Sequence, residues 1–110
     1  MKLAIIGSRN LLKIEIKKYI PKETTEIVSG GARGVDTLAK EFAIKNKLLL
    51  TEFLPKYNIY GRTAPLKRND EIALYADEVI AFWDGQSRGT AYTIKAFKKL
   101  GKKVTIVLVC

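Results

Sequence analysis

Ser29-Gly30-Gly31-Ala32-Arg33-Gly34-Val35-Asp36 is the stretch whose reading decides the fold. It joins a short β-prone run, Thr25 to Ser29, to the most regular helical pattern in the chain. In that pattern Val35, Leu38, Ala39, Phe42 and Ala43 recur at i, i+3, i+4, i+7 and i+8, which marks one buried face. Glycines permit positive φ and close approach of a ligand to the backbone. A helix start adds unpaired N–H groups and the positive end of its dipole, which suit an anion such as phosphate. Arg33 can add a forked, permanently charged contact. A tight strand-to-helix turn with no ligand fits the same residues, so the rest of the chain must decide.

Working outward, Lys2 to Ile6 is an apolar run ended by Gly7, as in a parallel strand covered on both faces. Gly7-Ser8-Arg9-Asn10 is a polar turn, and a helix is expected from Leu11 to Ile20, with Leu12, Ile16, Tyr19 and Ile20 on one face and Pro21 as its stop. Leu48 to Leu54 reads as a third strand, closed by Pro55. Lys56 to Ala64 has no apolar period and reads as a long loop, with Tyr60 and Arg62 placed to close over a ligand. A helix starts near Pro65, with Leu66, Asn69, Ala73 and Ala76 on one face. Glu78 to Trp83 is a fourth strand, Thr90 to Leu100 a helix with Ala91, Ile94, Phe97 and Leu100 inward, and Lys103 to Val109 a final buried strand.

Five strands alternating with four helices imply one Rossmann-like α/β domain over residues 1–110. It is expected to be a three-layer sandwich, with a five-stranded parallel sheet of order 3-2-1-4-5 and helices on both faces. Ligands in such sheets bind beyond the carboxyl ends of the strands, where the order reverses. The Gly7-Ser8-Arg9 turn, the glycine stretch and the Asp84-Gly85 turn then line one crevice.

Composition narrows the chemistry. The charge of +9, from 20 Lys and Arg against 11 Asp and Glu, favours anionic partners, although lysines spread through every segment also fit solvated helix faces. Cys110 is the single cysteine and histidine is absent, which argues against a disulfide framework, a zinc cluster or a thiol site, and no metal is expected. No apolar run suggests a signal region or a membrane span, so a cytoplasmic protein without a membrane partner is expected.

Four ordered blocks carry a resemblance: Gly7-Ser8-Arg9, Ser29 to Asp36, Arg68-Asn69, and Ala81 to Thr90. Together they resemble the SLOG superfamily, most closely its small stand-alone YspA/YpsA-related branch. The resemblance implies a Rossmann-like domain that binds nucleotides or nucleotide-derived ligands, and by analogy a possible homodimer. The related LOG-type phosphoribohydrolases cleave a base from a nucleoside monophosphate. They use a Pro-Gly-Gly-x-Gly-Thr-x-x-Glu block and an upstream arginine. Arg68 falls where that arginine would and Gly89-Thr90 matches the Gly-Thr pair, but Thr93 stands at the glutamate position. A missing carboxylate removes a charge partner for the transition state and a proton-handling group, unless Asp84 or Asp36 supplies one from another direction. The DNA-processing protein A family shares the Ser-Gly-Gly-Ala-x-Gly-hydrophobic-Asp block and binds single-stranded DNA. The charge and Tyr57, Tyr60 and Trp83 suit that role, but Trp83 reads as half-buried and that family's additional elements have no room here.

The expectation is therefore a nucleotide sensor or carrier without efficient turnover and with no separate cofactor. A nucleotide-cleaving hydrolase and a single-stranded nucleic-acid binder are the alternatives. The N–H groups of Gly30, Gly31 and Gly34 are expected to cradle phosphate beside Arg33 or Arg9, with Ser8 and Ser29 hydroxyls donating. Asp36 either contacts ligand or stabilises its helix start. Gly85, Ser87, Gly89 and Thr90 form a second anion-suited turn, where Thr90 can equally be a cap. Asp84 suits a ribose or base edge. Arg68 either reaches the phosphate or pairs with Asp70 or Glu71 at the surface.

Overall fold

A computed structural model describes residues 1–8 and 14–109 of the chain. Arg9, proposed as an anion ligand, and Leu12, proposed as a helix core position, lie outside them. β1 (Lys2–Gly7) runs through the middle of a five-stranded sheet. β2 (Glu26–Ser29) and β4 (Glu78–Trp83) flank it, and β3 (Leu49–Glu52) and β5 (Lys103–Leu108) form the edges. All pairs are parallel, and the order β3-β2-β1-β4-β5 is the expected one.

Alternation along each strand divides the core between two faces. Leu3, Ile5, Ile27, Ile80 and Phe82 face α1 (Val35–Lys45), which presses Val35, Ala39 and Ala43 into them. Ala4, Ile6, Val28, Val79 and Ala81 face α3 (Ala64–Tyr75) and α4 (Arg88–Lys99), which contribute Ile72, Ala73, Ile94 and Phe97. The alanines at Ala4 and Ala81 leave room there for the fully buried Phe97, whose burial is worth about 2–3 kcal/mol. Among the described residues, no helix is long and apolar enough to cross a membrane.

Several expectations need correction. Within the span read as a helix from Leu11, the described part forms only a short 3-10 turn at Ile16–Tyr19, with Ile16 buried. The long loop after Pro55 contains a one-turn helix, α2 (Tyr57–Tyr60), and a 3-10 turn at Gly61–Thr63, all of it exposed. Tyr60 and Arg62 therefore stand in solvent. β5 is not buried: as an edge strand it leaves Leu108 73% exposed. α4 begins at Arg88 and turns Thr90, Thr93, Ile94 and Phe97 inward, leaving Ala91 half-buried and Leu100 exposed just past its end. α3 buries Ala64, Arg68, Ile72 and Ala73 in place of the expected Leu66 and Asn69 face. From this inward face Arg68 donates to the backbone carbonyls of Gly30 and Phe53. At the far end of α3, the Lys102 ammonium donates to the carbonyls of Ala73, Leu74 and Ala76, satisfying acceptors that a helix terminus leaves open.

Candidate functional site

The sheet order reverses between β1 and β4, and a cavity of about 370 Å³ opens beyond their carboxyl ends. Gly7 and Ser8 leave β1 into it. Gly30, Ala32 and Asp36 form one wall, Arg68 and Asn69 of α3 another, and Asp84, Ser87, Gly89 and Thr90 a third. Ten of the expected site residues thus meet in one place. Gly31 and Arg33 instead line an adjoining cavity of about 440 Å³, which shares Gly30, Ala32 and Arg68 with the first. Ser29 is fully buried beneath the turn, and Gly34 and Gly85 line neither cavity.

The glycine stretch is partly closed, because the chain supplies acceptors for two of its N–H groups. The Ala32 N–H donates to Asp36 Oδ2 at 3.0 Å, and the Gly31 N–H donates to Ser29 Oγ at 3.3 Å. Gly34, at φ +76°, allows the chain to double back so that Asp36 can reach Ala32. Arg68 locks the turn from the other side. Its Nη1 donates to the Gly30 carbonyl at 2.6 Å and to the Phe53 carbonyl at 3.4 Å, and its Nε donates to Asn69 Oδ1 at 2.8 Å. The guanidinium is buried, not spread on the surface beside Asp70 and Glu71. Gly30 leaves room for this contact, since a Cβ there would lie 2.5 Å from Arg68 Nη1 and would force the guanidinium to shift. Burial pushes the Asp36 carboxyl above its ordinary value of 3.8; the Ala32 N–H and the Arg68 charge oppose that rise, and Glu52 adds to it.

The β4–α4 turn is built differently. Asp84 Oδ1 accepts the N–H groups of Gln86 and Ser87, both at 2.8 Å. Those donors, Ser87 first, hold the exposed Asp84 carboxyl below its ordinary 3.8. Ser87 is the residue before α4, yet its hydroxyl caps no backbone group and lies 3.3 Å from Thr90 Oγ1. The Ser87 carbonyl is taken by the Ala91 N–H and by the Trp83 indole N–H at 3.0 Å, which holds Trp83 half-buried. Among the described residues, the first-turn N–H groups of Arg88, Gly89 and Thr90 have no acceptor. The Ser8 hydroxyl is also buried; it forms no well-aligned hydrogen bond among them, and it faces the Asp84 carboxylate and helps to lower it. Thr93 Oγ1 donates to the Gly89 carbonyl at 2.9 Å, so its hydroxyl is engaged within the helix.

Sequence reasoning missed Ile6, Ala32, Pro65, Leu66 and Ile72 as lining residues. Only Ala32 had a readable signal, an aspartate four residues on that could reach back to its N–H. Among the described residues, no group of three or more His, Cys, Asp or Glu could hold a metal ion. No protein-family model, curated protein or solved structure matches the chain. The functional reading therefore stands on the geometry of the cavity.

Proposed function

We propose that the chain binds a nucleotide or nucleotide-derived ligand in the cavity between β1 and β4, as a sensor or carrier without efficient turnover. One observation carries this reading: the open first turn of α4 and the buried Ser8 hydroxyl, which faces Asp84, border the same cavity. A phosphate seated at Ser87–Thr90 takes up the unused N–H groups and the positive end of the helix dipole. Asp84 would accept from a ribose hydroxyl or a base amino group, and Ile6, Pro65 and Leu66 supply the apolar lining that small-molecule sites use. The SLOG resemblance points to the same ligand class.

The carboxylates favour binding over cleavage. A general acid needs a proton and the freedom to deliver it. The Asp36 carboxylate is tied to Ala32, Asp84 is held ionised by two N–H groups, and Thr93 has no carboxylate to offer.

Thermal unfolding with nucleoside mono- and diphosphates at millimolar concentration tests the proposal. A ligand at a hundred times its Kd stabilises by about 2.7 kcal/mol. Gly89→Glu adds a side chain where a Cβ meets nothing within 4 Å, so it keeps the fold and puts a carboxylate at the phosphate position. The expected result is a midpoint no lower than that of the native chain without ligand, with loss of the ligand-induced shift. Absence of any shift in the native chain, or an equal shift in the variant, rejects the reading.

A further inference from the structure

We infer that the outer face of α4 is a docking surface for the phosphodiester backbone of double-stranded nucleic acid, separate from the nucleotide cavity. The net charge is unevenly placed. From Arg88 to Cys110 the chain carries six Lys and Arg and no Asp or Glu, which is six of the nine excess charges in about a fifth of its length. α1 and α3, by contrast, each carry two acidic and two basic residues.

Helix geometry gathers this charge into a stripe. Thr90, Thr93, Ile94 and Phe97 are buried, so steps of about 100° per residue place Arg88, Tyr92, Lys95 and Lys99 at the opposite, solvent pole. All four are exposed, and Lys98 is exposed on the flank. The stripe is about 16 Å long at 1.5 Å per residue. Lys102 is not part of it, being bonded to the end of α3, and Lys103 lies in register with Glu78.

The shape of the face selects the polyanion. Single strands are held by grooves and by aromatic platforms on which bases stack. Here the surface is one convex helix, and Tyr92, its aromatic residue, is tied through its hydroxyl to Asp70 at 3.0 Å. A bilayer needs apolar side chains to insert, and the stripe carries no aliphatic residue. A duplex presents a charge every 1.7 Å of its axis, the densest target for a convex row of cations.

The test is equilibrium binding of the full chain to a 20-base-pair duplex between 50 and 200 mM salt. Arms with a single strand of the same length and with anionic phosphatidylserine vesicles accompany it. Four neutralised phosphates give a log–log slope of about −3.6 and a loss of roughly 150-fold over that range. Lys95→Glu with Lys99→Glu should weaken duplex binding at least tenfold and reduce the slope to about −1.8 or less. Lys40→Glu with Lys45→Glu changes the net charge equally, pairs one mid-helix with one last-turn lysine on α1, and should change affinity less than twofold. Unfolding midpoints establish that both variants fold. No duplex binding at 50 mM salt, equal losses in the two variants, tighter binding to the single strand, or preference for vesicles each overturns the inference.

Discussion

Two glycine-bearing turns leave the strands on either side of β1 and enter helices on opposite faces of the sheet, and they differ in how their backbone donors are used. After β2, the Gly31 and Ala32 N–H groups are consumed by Ser29 and Asp36, and Arg68 closes the turn from α3. After β4, Asp84 folds the turn through Gln86 and Ser87 but leaves the first turn of α4 open toward the cavity. An anion-suited sequence is therefore no guide to an anion site until the chain's own carboxylates are placed. The first turn is tied down by Arg68, and the second is the proposed ligand port.

The largest effect expected is at the lock. Arg68→Met keeps most of the packing volume but leaves the Gly30 carbonyl without its donor, and should cost about 3 kcal/mol in denaturant unfolding. A loss below about 1 kcal/mol would show that the turn stands without the arginine. Gly30→Ala should cost about 2 kcal/mol, because the methyl must displace the same buried guanidinium.

Acid titration of stability separates the two aspartates by sign. Asp36 is raised in the folded chain, so the native state holds the extra proton above pH 3.8. Its contribution is fully present below that pH and is lost as pH rises through the folded value. Asp84 is lowered, so its contribution is present above pH 3.8 and disappears as pH falls through its folded value. Urea midpoints from pH 2.5 to 7 should show the native chain losing ground to Asp36→Asn as pH rises, and to Asp84→Asn as pH falls. Slopes of the same sign would erase the distinction. The smallest effect is at the port, where Gly89→Ala meets open space and should raise stability by about half a kcal/mol through helix propensity.

The sheet order was readable because the apolar runs, glycine exits and helical periods all agreed, with β1 and β4 the most uniformly apolar strands. The burial of β5 was not readable in the same way. Val104 to Val109 is as apolar as a central strand, and hydrophobicity alone does not say which strand lacks a neighbour. Arg68 was placed outward or toward ligand because polar side chains mark the wet face of a helix. Its partners include carbonyls 38 and 15 residues away, which no local pattern reveals. The two turns beside the cavity were legible as residues, but not the division of labour between them. That division rests on whether Asp36 faces solvent or turns back to Ala32.

The central claim is that a ligand's phosphate sits at the start of α4 and not on the glycine stretch. Amide chemical-shift mapping of the isotope-labelled chain titrated with adenosine monophosphate tests it most directly. The account predicts the largest shifts at Arg88, Gly89 and Thr90, with Gly31 and Ala32 moving less. Dominant shifts at Gly31 and Ala32, with Arg88 to Thr90 unchanged, would contradict it.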